Sequence, residues 1–341
     1  MSSESTPDTK NCAADGATGG NTGGEVMTGD TAAYAPKKTF KDYIPFFAMG
    51  VMMIAVQALA LTMAPIMNSA GYTAFEDPDA FENTIYFLAI LLLFTAAMLL
   101  LIKYKGKKIL SWIIAASIFL VLVYIFAAIF ALLYDAKLLT DIAAIVVAVL
   151  AVVLLYKYPE WYVIDILGTV ICAGTAAIFG ISFEIMPVIL LLVLLAVYDA
   201  ISVYKTKHML TLAESIISTK APILVVVPKK MNYSYIKEGL EIKKEKTERG
   251  AFMMGMGDLI MPSILVVSAF IFVDAPAIAL GVSLPVLTAI IGSLCGLAVL
   301  LYFVAKGNAQ AGLPTLNGGV IIGFLVGCAL SGSWDWMQGI L

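Results

Sequence analysis

The sequence predicts an all-α membrane protein of nine transmembrane helices. Three observations predict it. Of 341 residues, 61% are hydrophobic and 13% charged, against about 45–50% and about 25% in a soluble domain. The apolar residues gather in nine runs, near the roughly 20 residues that a helix needs to cross the hydrocarbon core. With the N-terminal tail taken as inside, every Lys and Arg except Lys137 falls in an inner segment. Positive-inside topology has this bias.

The elements follow in order. Residues 1–38 are rich in Gly, Thr, Ala, Ser and Asp. Such a tail buries too little surface to offset its ordering entropy and is expected to be disordered; without an apolar core it does not read as a signal peptide. The expected spans are about 43–67, 84–102, 109–133, 140–156, 161–180 and 186–204, then 252–273, 282–305 and 316–331. The chain thus divides into the tail (1–38), helices one to six (39–204), a polar loop (205–250) and helices seven to nine (251–341). Tail and loop are expected in the cytosol and the C-terminus on the outer side. The first outer loop, GYTAFEDPDAFEN, carries acids and no base. The sequon at Asn232 lies in the inner loop and is expected to stay unglycosylated. Trp334 and Trp336 read as interfacial anchors.

Composition also removes function classes. Cys12, Cys172, Cys295 and Cys328 are far apart, and three lie in apolar runs, where cysteine acts as a small hydrophobe. No disulfide framework, zinc site or thiol nucleophile is expected. His208, the only histidine, is expected at the interface or in solvent. HExxH chemistry is therefore excluded, and Ser-His or Cys-His hydrolysis has little room. No metal or other cofactor is expected, and no nucleic-acid partner.

Four acids lie in or beside apolar spans. Glu184 falls between spans five and six and reads as a solvated outer loop residue. Asp165, one turn into span five, reads as structural, reaching the headgroups or capping the helix start. Asp199 and Asp258 differ. Each lies about 10 Å below the inner surface at 1.5 Å per residue, on consecutive helices running in opposite directions. Each could be a lone helix–helix hydrogen-bonding group. As a pair they suit catalysis, because acids in spans are costly and mark function. Two close carboxylates share a proton; one serves as general base toward water and the other as general acid toward a carbonyl. Gly255 and Gly257 remove side chains before Asp258, which admits another backbone or close helix packing.

Tyr198-Asp199, Gly255-Met256-Gly257-Asp258 and Leu313-Pro314-Thr315-Leu316 together resemble the presenilin and signal peptide peptidase family, the GxGD intramembrane aspartyl proteases. The likeness covers about residues 40–341 and looks closest to archaeal presenilin homologues. It implies a presenilin-like bundle with the active site between helices six and seven. It implies that Asp199 and Asp258 are the catalytic dyad, with Tyr198, Gly255, Gly257, Leu313, Pro314, Thr315 and Leu316 shaping the site. Thr315 departs from the family's alanine and sets a hydroxyl there. The inner placement of the 205–250 loop matches the presenilin branch. The implied function is hydrolysis of peptide bonds within transmembrane helices, so the implied partners are transmembrane protein substrates and the lipid bilayer.

Within the loop, residues 221–228 read APILVVVP. A β-branched run bounded by prolines reads as a short strand or apolar patch. It either packs on the bundle or pairs with an unwound substrate. Lys229 and Lys230 read as plain positive-inside residues. The alternative function is an ion- or proton-coupled transporter or channel using the same acids.

Overall fold

The computed structural model describes residues 44–75, 77–104, 107–131, 136–206, 224–228, 251–279, 281–306 and 310–337. The tail, His208, Lys229, Lys230 and the sequon at Asn232 lie outside the described residues.

Six helices come first: α1 (Ile44–Ser69), α2 (Phe81–Lys103), α3 (Lys107–Ala131), α4 (Lys137–Lys157), α5 (Trp161–Ser182) and α6 (Ile185–Ile201). A π-helical turn over Ser202–Thr206 extends α6. After β1 (Leu224–Pro228) and β2 (Ala251–Gly255) come α7 (Met256–Phe272), the short strands β3 (Ala277–Ala279) and β4 (Val282–Ser283), α8 (Leu284–Ala305) and α9 (Gly312–Ser331). All nine expected helices are present among the described residues. Eight are long and apolar enough to span a bilayer. The ninth, α7, has 17 residues.

The shortness of α7 corrects one expectation. The run from 252 was expected to be helical, yet Ala251–Gly255 is a strand paired antiparallel with β1, Val226 opposite Met253 and Leu224 opposite Gly255. A strand uses the backbone groups that the first helical turn would leave without partners. The helix begins only at Met256.

Helices α1, α5, α6 and α7 form the centre, with Met53, Val56, Cys172, Ala176, Leu191 and Val266 fully buried. Towards the periphery, Leu93, Trp112 and Leu138 are exposed, as suits surfaces that face lipid. Lipid supplies no hydrophobic drive between helices, so close packing and hydrogen bonds hold them together. α8 and α9 meet backbone to backbone: a Cβ at Gly292 would run into the carbonyl of Gly319, and one at Gly319 into that of Gly292. Gln57 donates to Ser293 Oγ at 2.9 Å, joining α1 to α8. Asn317 donates to the Leu192 carbonyl at 2.9 Å, joining α9 to α6. Trp336 packs on Phe324 with ring centroids 5.5 Å apart, while Trp334 is exposed.

Candidate active site

Three chain segments meet at one point. α6 brings Asp199 in its last turn, 5% exposed. α7 brings Asp258 in its first turn. α9 brings its own N-terminus, where Ala311 is the N-cap and makes no side-chain capping bond.

A helix start leaves backbone N–H groups without partners. Here Asp199 satisfies one of them from another helix. Its Oδ2 accepts the Leu313 N–H, 3.1 Å from the nitrogen. Asp258 lies against the same turn: a Cβ built on Gly312 would stand 3.1 Å from Asp258 Oδ1 and 3.2 Å from Oδ2. The two carboxylates lie within electrostatic reach of each other. Asp258 is three residues after the N-cap Gly255, in the first turn of its helix.

The remaining expected residues fall around this centre with different surroundings. Tyr198 is half-buried beside Asp199. Gly257 is exposed, and a Cβ there would meet nothing within 4 Å; one at Gly255 would make only ordinary contact, 3.5 Å from Asp258. No neighbouring helix therefore requires a glycine at 257. Leu313, Pro314 and Thr315 form the first turn of α9, not a segment before it. The Thr315 hydroxyl donates to the Gly312 carbonyl at 2.9 Å, so it is turned back onto its own helix. Leu316 is fully buried. A groove of about 270 Å³ runs between α6 and α9, lined by Val193, Ala196, Val197, Ala200, Pro314 and Gly318 among others.

Two expectations about acids change. Asp165 reaches neither headgroups nor the start of its own helix. It is buried, 8% exposed, and its Oδ1 accepts the Val226 N–H at 2.9 Å. Glu184 is not a freely solvated loop acid. It is the N-cap position of α6 and half-buried. Burial first, then a hydrogen bond with Asp79 and the charges of Asp79 and Asp77, raise its pKa to about 7.

Three residues not expected from the sequence surround the start of α9. Gly312 lets α9 close on Asp258. Asn317, one turn beyond, ties α9 to α6; a polar side chain in an apolar span was the available signal. Tyr204, in the π-helical turn, donates to Gln310 Oε1 at 2.6 Å and stands 3.5 Å from the Ala311 nitrogen.

Comparison with known proteins decides the family. The family described as signal-peptide peptidase, presenilin aspartyl protease matches residues 49–333. The chain belongs to this family. It is accordingly an intramembrane aspartyl protease, a hydrolase and a multi-pass membrane protein acting on transmembrane substrates in the bilayer. Two crystal forms of a presenilin family intramembrane aspartate protease are similar in structure. The C222 form has TM-score 0.63 and 45% identity, covering 84% of this chain and 100% of that one. The P2 form has TM-score 0.63 and 44% identity, covering 85% and 99%. No curated protein matches. Nothing in the family or its solved relatives supports the transporter alternative.

Proposed function

We propose that Asp199 and Asp258 are the catalytic pair of this protease. One observation carries the reading: both carboxylates converge on the Gly312–Leu313 turn, Asp199 from α6 and Asp258 from α7. In the working state one carboxylate is ionised and its partner protonated. The ionised group takes a proton from water as the water oxygen bonds to the scissile carbonyl carbon, and the partner gives its proton to the carbonyl oxygen. The resulting gem-diol then collapses. The C–N bond breaks, the nitrogen gains a proton from one carboxyl, and a hydroxyl proton returns to the other.

Substrate contact falls to Tyr198, Gly255, Gly257, Leu313, Pro314 and Thr315, with Leu316 as their support. Gly257 leaves open space beside Asp258, which favours close approach by a substrate backbone. The scissile peptide must be extended, since a helix hides its carbonyls. Direct addition to β1 is disfavoured: one edge pairs with β2, and the Val226 N–H on the other bonds Asp165. The outer edge of β2, beside Gly255, is the edge that suits an unwound substrate.

The proposal includes a topology. The lysine asymmetry supports cytosolic placement of the N-terminal tail and the 205–250 loop, with the C-terminus outside. The experiment is incubation of the full chain in vesicles with a lysine-flanked single-span peptide. Two fragments should appear with the wild type and none with Asp199→Ala or Asp258→Ala. Persisting fragments in Asp258→Ala would remove the assignment.

A further inference from the structure

Asp165 is a buried carboxylate outside the catalytic pair. Its Oδ1 takes the Val226 N–H at 2.9 Å. In an antiparallel pair, successive residues turn their backbone groups alternately toward and away from the partner. Val226 points away from β2, so Leu224 and Pro228 do too, and Val225 and Val227 hold the ladder to Met254 and Phe252. Pro228 has no N–H to offer. The outer edge of β1 is therefore tied to α5 at its centre and lacks a donor at its end.

The tie leads to the catalytic centre. Val226 stands opposite Met253, and Leu224 opposite Gly255. Gly255 ends β2 and is the N-cap of α7, three residues before Asp258. Two further contacts come from the same stripe of α5. A Cβ at Gly168 would stand 2.7 Å from the Met256 methyl, so the missing side chain makes room for Met256. Cys172 Sγ lies 3.7 Å from the Met256 carbonyl. Asp165, Gly168 and Cys172 are spaced i, i+3, i+7, one face of a helix. That face holds the strand-to-helix junction.

We infer that Asp165 is a positioning residue of this protease: through β1 and β2 it sets the register and height at which Gly255 delivers Asp258 to Asp199 and Gly312. The inference rests on the proposed catalytic role of Asp258. Asp165 touches neither the substrate nor the reacting atoms. It acts as a hydrogen-bond acceptor, and its charge is not required.

The test uses the full chain in vesicles and the lysine-flanked single-span peptide, with kcat, KM and cut positions measured together. Asp165→Ala should lower kcat by about 10- to 100-fold, the range that a misplacement of about 1 Å produces. KM should hold, and the cuts should spread to neighbouring bonds. Asp165→Asn, whose amide oxygen still accepts, should restore the wild-type kcat and cut position. Val226→Pro removes the donor from the other side and should reproduce Asp165→Ala, which keeps the test open if Asp165→Ala does not fold. Unchanged kcat and cut positions in folded Asp165→Ala or Val226→Pro would overturn the inference. So would an Asp165→Asn protein as slow as Asp165→Ala, because charge and not acceptance would then be the need. A wild type as inert as Asp258→Ala would instead sink the catalytic reading itself.

Discussion

The backbone N–H of Leu313 stands 3.1 Å from Oδ2 of Asp199. One side chain thus serves two ends: it caps the start of α9 and belongs to the proposed catalytic pair. The two roles separate by substitution. Asp199→Asn keeps an acceptor for the Leu313 amide but loses the exchangeable proton. Asp199→Ala loses both. Each should abolish cleavage, while only Asp199→Ala should lower stability, by about 1 kcal/mol for a lost cap. Thermal unfolding of both variants beside a fragment assay checks this. Equal destabilisation by Asn and Ala would remove the capping role.

Gly312 and Gly257 make a second contrast. A methyl group at 312 would stand 3.1–3.2 Å from the Asp258 carboxyl group, while one at 257 would meet nothing within 4 Å. Gly312→Ala should push Asp258 aside and lower kcat by about 10-fold or more, since small displacements of reacting groups carry large rate penalties. Gly257→Ala should leave kcat and folding intact and raise KM, if the substrate backbone approaches there. A Gly257→Ala protein with wild-type KM would move the substrate to another side of Asp258.

Glu184 gives a pH-dependent prediction away from the site. Its pKa is raised to about 7, first by burial and then by Asp79 and Asp77, from an ordinary value of 4.5. Between those values the folded chain holds the proton more tightly than the unfolded chain. This contribution to stability is complete below about pH 4.5 and is lost as pH rises through about 7. Glu184→Gln cannot ionise, so it should flatten that part of the stability–pH curve and gain on wild type above pH 7. Unfolding temperatures at pH 5 and pH 8 decide it; parallel shifts in both proteins would clear Glu184 of the effect.

The helices were legible because a span needs only length and apolarity, both local properties. Asp199 and Asp258 were legible because a carboxylate in such a run is an anomaly visible in one dimension. Residues 251–255 were not. Ala-Phe-Met-Met-Gly is apolar and runs straight into a helix, and only a partner some 25 residues earlier makes it a strand. The role of Asp165 was hidden for the same reason, its bond reaching 61 residues along the chain. Gly312 carried no signal beyond being a glycine, since its need comes from Asp258. Trp336 reads as an interfacial anchor by composition, yet it folds back onto Phe324.

The last prediction joins topology to the depth of the cut. Under the proposed topology nearly all the basic residues lie on the side of the 205–250 loop, and the sequence places both aspartates close to that side. Asp199 is in the last turn of α6 and Asp258 in the first turn of α7, so both occupy helix ends that lead into the loop. A water molecule can approach them only along a path lined by protein, because lipid offers it no partners. The bond to be cut must come to that depth and must be extended there. Cuts should therefore fall in the cytosolic half of a substrate span. Glycine or proline near that end should raise turnover by easing unwinding, and a run of leucines there should suppress it. Mass spectrometry of fragments, from a substrate whose orientation its flanking lysines fix, gives the positions. Cuts confined to the outer half would defeat the depth argument, and labelling of the 205–250 loop from outside intact cells would defeat the orientation beneath it.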